Sequence, residues 1–204
     1  MTRQTNGWRL LGVLLFGLAV TGCSLLPSTQ EPVDQEAMRP TWENHRDAMQ
    51  ALSHWQLDGR VSARTSDEGA NFNVQWQQRG EDYSIRISGP LGQSAATVTG
   101  GAGWAELNTG DEIYYGDSLQ EILATTTAIN LPLHLLRYWV RGIPAPDLDA
   151  DFTLNELPVI TEMTQDGWQV DYRGYHADTN LPRRIDIERG SQSARMVISV
   201  WDLE

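Results

Sequence analysis

Apolar and polar residues alternate six times between Trp55 and Tyr115, and a turn signal follows almost every run. Trp55, Leu57, Gly59, Val61 and Ala63 share one parity, as do Phe72, Val74 and Trp76, and then Tyr83, Ile85 and Ile87. Shorter alternations occupy residues 96–98, 104–107 and 113–115. A period of two marks a strand with one buried face. Asp67-Glu68-Gly69, Arg79-Gly80-Glu81-Asp82, Gly100-Gly101 and Gly110-Asp111 punctuate the runs. Six strands joined by short turns predict an antiparallel meander.

Elsewhere the period is that of a helix. Trp42, His45, Met49 and Leu52 follow 3,4,3 spacing, which predicts a helix over residues 41–54 with Thr41 as its cap. Leu119, Ile122 and Leu123 cluster in a second helix over 117–127. A third starts near Leu131, with Pro132 in its first turn and Leu135, Leu136 and Trp139 on its apolar face. Pro144-Ala145-Pro146 stops it. Alternation resumes from Val159, and Asp166-Gly167 leads into Trp168, Val170 and Tyr172. Two last strands fall at 183–189 and 194–201. Ten strands and three helices result. A sheet of this size must hide its edges and cover its apolar face, and near-closure into a barrel does both. The helical pair midway would lie across the opening as a plug. Inward apolar residues then make either a filled core or a ligand cavity, and the pattern allows both.

The N-terminus carries different information. Residues 1–9 hold Arg3 and Arg9 and no acid, residues 10–20 are an apolar run, and Val20-Thr21-Gly22-Cys23 reads as a lipobox. The run is shorter than the roughly 20 residues a membrane span needs and suits a secretory signal. Cleavage before Cys23, the sole cysteine, would leave a thiol for a diacylglycerol and an amine for a third acyl chain. Ser24, where Asp would retain a bacterial lipoprotein in the inner membrane, points to the outer membrane. Residues 1–22 are thus expected to be a signal peptide. Residues 23–40, with Pro27, Pro32 and Pro40 among polar residues, are expected to be a lipidated end and flexible tether, and 41–204 a single domain.

Composition narrows the partners. Loss of the signal, with two arginines and no acids, takes the net charge from −12 to −14. Such a chain is not expected to bind nucleic acid, which calls for a basic patch. All 15 basic residues are arginine. His45, His54, His134 and His176 lack metal-ligand spacing, so no metal and no cofactor are expected. Asp147-Leu148-Asp149-Ala150-Asp151 resembles the start of a calcium loop, but Phe152 replaces its glycine and Pro158 its final glutamate, so it reads as a solvated acidic loop. No nucleophile elbow, phosphate loop or dinucleotide fingerprint is present, and nothing argues for an enzyme. One oddity remains at Gly89-Pro90-Leu91-Gly92-Gln93, where a leucine sits on a turn. It either folds back onto the core or forms an exposed apolar tip.

Taken together, these residues resemble the LolB family of outer-membrane lipoprotein receptors. The resemblance runs over nearly all of the mature chain. It rests on the lipobox at Cys23, Trp42-x-x-His45 leading to Leu52, Gly59, Trp76-Gln77-Gln78 with Gly80 and Tyr83, and Pro90-Leu91-Gly92. It continues in Pro132-x-x-x-Leu136-Arg137-x-Trp139 with Gly142 and Pro144, then Gly167-Trp168-x-Val170-x-Tyr172 with Tyr175, Leu181-Pro182 and Trp201. The resemblance implies a mainly β fold, an unclosed antiparallel barrel of eleven strands whose helices cover an apolar cavity; the extra strand would fall at 152–154. It implies a lipid-anchored, periplasm-facing monomer that accepts acylated lipoproteins from the carrier LolA and inserts them into the outer membrane. Leu91, between Pro90 and Gly92, falls on that family's membrane-insertion loop. Candidate cavity residues, from alternation and helical spacing, are Trp76, Tyr83, Ile85, Leu119, Ile122, Leu136 and Trp139. The competing readings are an outer-membrane scaffold acting through its sheet edge, and a hydrolase whose site is not visible in the sequence.

Overall fold

A computed structural model describes residues 34–126 and 131–203. The expected signal peptide, Cys23 and most of the tether lie outside the described residues. The first helix, α1, spans Gln35–Ala51. Six strands follow: β1 His54–Arg64, β2 Gly69–Arg79, β3 Asp82–Ser88, β4 Ser94–Gly101, β5 Trp104–Asn108 and β6 Ile113–Gly116. Helices α2 (Leu119–Thr126) and α3 (Leu133–Trp139) come next. Five more strands complete the order: β7 Ala150–Leu154, β8 Ile160–Gln165, β9 Trp168–Tyr172, β10 Arg184–Arg189 and β11 Gln192–Leu203.

All eleven strands belong to one sheet in the order β6-β5-β4-β3-β2-β1-β11-β10-β9-β8-β7. Two meanders, β1–β6 and β7–β11, therefore meet where the first and last strands pair antiparallel, from Trp55↔Leu203 to Arg64↔Ser193. The sheet ends at β6 and β7 and does not close. Alternation puts Trp55, Leu57, Val61, Ala63, Trp76, Ile85, Val98, Trp168, Val170, Ile185 and Ile198 into one core. At the β1–β11 seam the register slips between Asp58 and Gly59. A Cβ on Gly59 would stand 2.8 Å from the Val197 carbonyl oxygen, so only glycine allows this approach.

Four details depart from the sequence expectations. First, α1 starts at Gln35, so residues 35–40 belong to the folded domain rather than the tether, and Thr41 is not the cap. Asp34 caps instead, its Oδ1 accepting from the Glu36 and Ala37 amides at 3.1 and 3.2 Å. The Gln35 side chain then pairs with edge strand β7. Its Nε2 donates to Leu154 O at 2.9 Å, and its Oε1 accepts from Leu154 N at 2.8 Å. With the Trp42 ring packed at a tilt 5.2 Å from Phe152, these contacts hold a helix with Pro40 inside it, a residue that costs about 3 kcal/mol at such a position. Second, Pro132 is the N-cap of α3 and not a residue of its first turn. Third, β7 lies where the resemblance implies an extra strand but starts two residues earlier, at Ala150, so it absorbs Ala150 and Asp151 and leaves residues 147–149 as the acidic loop. Fourth, β11 runs through Leu203 rather than stopping at Trp201.

Two buried polar side chains hold the helices in place, Gln165 tying α3 to the sheet and Arg141 tying the end of α1 to α3. Gln165 on β8 is 1% exposed. It accepts from Trp139 Nε1 at 2.8 Å and Ala145 N at 2.9 Å, and donates to the Ala145 and Leu148 carbonyls at 2.9 and 3.1 Å. Arg141 donates to Met49 O and Leu52 O at 2.5 and 2.9 Å, completing the C-terminus of α1. Burial pushes its guanidinium down to about 10, which leaves it protonated at neutral pH.

Gln165→Leu strands the Trp139 and Ala145 N–H groups in the core, and should cost about 3 kcal/mol of unfolding free energy, since each orphaned buried partner costs roughly 1–3. Urea denaturation followed by tryptophan fluorescence measures this, and an unchanged midpoint would refute it.

Candidate functional site

Helices α2 and α3 cross the concave face of the β1–β5 half of the sheet without filling it. Below them lies a cavity of about 240 Å³. Its floor is Val61, Phe72, Val74, Trp76, Ile85, Ile87, Val98 and Leu107, joined by Met196 from β11. Its roof is Leu119 and Leu123 of α2 with Leu131, Leu133 and Leu136. Strand pairing brings the floor together: Trp76 faces Ile85, Ile85 faces Val98, Val98 faces Leu107, and Val61 faces Met196. Helical spacing supplies the roof, because Leu119 and Leu123 are four apart on one face. Every one of these side chains is apolar, and the single N–H among them, Trp76 Nε1, is satisfied by Gln78 Oε1 at 3.1 Å.

Of the seven cavity candidates, Trp76, Ile85, Leu119 and Leu136 lie together on this wall. Tyr83 lines a second chamber of about 430 Å³ that adjoins the first and carries Gln78, Glu81, His134 and Arg137. Ile122 and Trp139 are corrections. Ile122 is buried against β6, where a Cβ on Gly116 would meet its Cγ1 at 3.0 Å. Trp139 is fully buried one turn beyond Leu136, 6.4 Å from Trp168 and bonded to Gln165. One apolar helix face meets the cavity at one turn and packed core at the next, so spacing alone did not separate cavity wall from core. The residues missed at Phe72, Val74, Ile87 and Val98 carry the same parity signal as Trp76 and Ile85. Leu131 and Leu133, beside a proline, carried none.

Polar links help to hold the α2 and α3 roof. Ser118 Oγ accepts from Glu121 N at 3.2 Å, while Glu121 Oε2 accepts from Asp117 N at 2.9 Å. Gln120 Oε1 meets His134 Nδ1 at 3.2 Å, joining the two helices. Burial lowers the His134 pKa from its ordinary value, with Asp166 raising it and Arg137 lowering it further. The imidazole is therefore neutral at pH 7.

The β3–β4 turn is the second candidate. Gly92 N donates to Gly89 O at 2.9 Å, and Gly89 N donates to Gln93 O at 2.8 Å. Asn73 Nδ2 also donates to Gly89 O, at 3.0 Å. Gly92 has φ +85°, a conformation that favours glycine. Pro90 sets the first corner. The turn is thus closed on itself, and Leu91 at its tip is 93% exposed. It does not fold back onto the core.

The comparisons with known proteins agree with this geometry. A family model described as Outer membrane lipoprotein LolB matches residues 53–201. A protein named Outer-membrane lipoprotein LolB from Alkalilimnicola ehrlichii is 35% identical over 201 residues, covering 96% of this chain and 97% of its own. One of the same name from Halorhodospira halophila is 34% identical over 204 residues, covering 97% and 98%. One from Pseudomonas aeruginosa is 34% identical over 186 residues, covering 89% and 90%. Among solved structures, a LolA superfamily protein from Nitrosomonas europaea aligns with a TM-score of 0.52 at 12% identity, covering 85% of this chain and 94% of that one, a likeness of fold alone. With an unclosed eleven-stranded sheet, a matching family model and relatives similar along almost their whole length, the chain belongs to the LolB family of outer membrane lipoproteins.

Proposed function

We propose that this chain is an outer-membrane lipoprotein receptor that takes acylated lipoproteins from a soluble LolA-type carrier into its apolar cavity and releases them into the outer membrane. The observation that carries the reading is the apolar cavity under α2 and α3, unfilled by side chains of the described residues. An acyl chain cannot cross water unshielded, since each exposed CH₂ costs about 0.8 kcal/mol. A wall without unsatisfied polar groups accepts such a chain at no desolvation cost to itself. Transfer from carrier to cavity to bilayer then runs down a gradient of affinity and needs no nucleotide. The chain acts by binding and release rather than by catalysis. Cys23, acylated, keeps the cavity beside its destination, because several acyl chains hold where one gives marginal anchoring. Leu91, on its closed turn, meets the bilayer at the release step. Burying it gains roughly 1.5–3 kcal/mol, enough to bias docking and too little to anchor.

Three outcomes test this reading. Cys23→Ala behind a cleavable secretory signal should give a soluble periplasmic protein that still binds lipoprotein; loss of binding would place the anchor inside the site. A photoreactive side chain at Leu123 should crosslink to a bound acyl chain, while one at Trp139 should label protein neighbours, as mass spectrometry of the adducts would read. Equal acyl labelling at both positions would sink the cavity assignment. Leu91→Glu should accept lipoprotein from the carrier at near-normal extent and deliver it poorly to liposomes. The fold should be intact, because an exposed turn residue contributes little to stability. Normal delivery by that variant would remove Leu91 from the release step.

A further inference from the structure

We infer that the methyl end of a bound acyl chain reaches a subsite at the β1–β11 seam, and that Met196 turns aside to admit it. The inference rests on the receptor reading and adds where the far end of the chain goes. A dry cavity of about 150 Å³ holds a benzene ring, so the space of about 240 Å³ under α2 and α3 holds roughly ten carbons, about six fewer than a palmitoyl chain carries. The rest of the chain needs a further wall. One adjoining chamber carries Gln78, Glu81, His134 and Arg137, whose polar groups gain nothing from a hydrocarbon end. Another space, of about 20 Å³, lies at the seam and shares Val61, Leu131, Leu136 and Met196 with the cavity. Its other described walls are apolar as well, so a water there would lack polar partners.

Met196 stands where the two apolar spaces meet. On β11 it pairs with Val61 of β1 on one side and with Ile185 of β10 on the other. Both of those residues are buried, as are Ala194 and Ile198 on the same face of β11, whereas Met196 is only partly so. Its remaining accessible surface therefore opens onto the cavity, with room for the side chain to move. Val61, Leu131 and Leu136 are branched. Met196 is not, and an unbranched thioether refits irregular gaps that a branched chain cannot. Beyond it the seam has short side chains, since Ala194 pairs with Ala63 on β1 and with Ile187 on β10. Turning Met196 aside joins the small space to the cavity, and the last methylenes of the chain then lie against Ile185, Ile187 and Ala194.

The test uses the mature chain carrying Cys23→Ala and a peptide with one Nα-palmitoyl chain that holds a diazirine near its methyl end. The complex is irradiated below the micellar concentration, and the adducts are located by mass spectrometry. They should fall on Met196, Ile185, Ile187 or Ala194. Adducts only at other positions, such as Leu123 in the roof or Gln78 in the polar chamber, would overturn the seam subsite and leave the receptor reading standing. No adduct at any position would refute the receptor reading as well. A second measurement compares unlabelled palmitoyl and decanoyl peptides by tryptophan fluorescence. Ala194→Val fills the small space and leaves the main cavity as it is. It should weaken the palmitoyl peptide about fourfold, the value of one CH₂ that loses its apolar wall, and leave the decanoyl peptide unchanged. An unchanged ratio of the two affinities in that variant would overturn the subsite. The adduct map of the chain with Ala194 in place decides the matter even where Ala194→Val fails to fold.

Discussion

The pairing of β1 with β11 is the contact on which the rest of the molecule depends. It joins strands nearly 140 residues apart in sequence, ten residue pairs from Trp55↔Leu203 to Arg64↔Ser193, and it converts two local meanders into one sheet. Each meander alone has an apolar face and nothing opposite it. Joined, they curve around a shared core, and Val61 and Met196 meet as neighbours on the cavity floor. The seam is tight enough to demand glycine at position 59. One end is locked by aromatic packing, with Trp55 5.2 Å from Trp76 and 5.6 Å from Trp201.

The apolar face of the β1–β5 half of the sheet and the helices packed on it leave a space between them. Helices α2 and α3 have eight and seven residues. They roof the β1–β5 half but do not fill the space beneath. Apolar atoms that line such a space lack close-packed partners on that side, which costs stability. The polar side chains that hold the fold, Gln165 and Arg141, stand away from this space and have their partners. Arg137, next to it, has one donor without an acceptor among the described residues.

The turn at Leu91 solves a separate problem. Under the proposed receptor function, the cavity must hide apolar atoms, whereas the proposed release step needs apolar atoms shown to a membrane. The two are placed on different parts of the β3–β4 hairpin, Ile85 and Val98 facing inward and Leu91 standing at the tip. Internal hydrogen bonds of the turn keep Leu91 out. A leucine this exposed gains from any apolar partner, and its isolation limits that gain to a reversible contact.

Local physics alone made much of this legible in the sequence. Alternation located ten of the eleven strands because a half-buried strand writes its burial into a period of two. Turn residues placed the hairpins, and 3,4 spacing placed three helices. Strand β7 escaped because it is a five-residue edge strand beginning in an acidic run, with Phe152 and Leu154 its only large apolar residues. The start of α1 escaped because Pro40 argued against it, and the contacts that overrule the proline, from Gln35 and Trp42 to Leu154 and Phe152, span more than a hundred residues. The same limit governs the site. Sequence spacing says that Leu119, Ile122, Leu136 and Trp139 face something apolar. It cannot say whether that is a neighbour's side chain or empty space, since both satisfy the same hydrophobic pattern. Only the tertiary structure decides it, because a cavity is a shortfall of volume among elements brought together from distant parts of the chain.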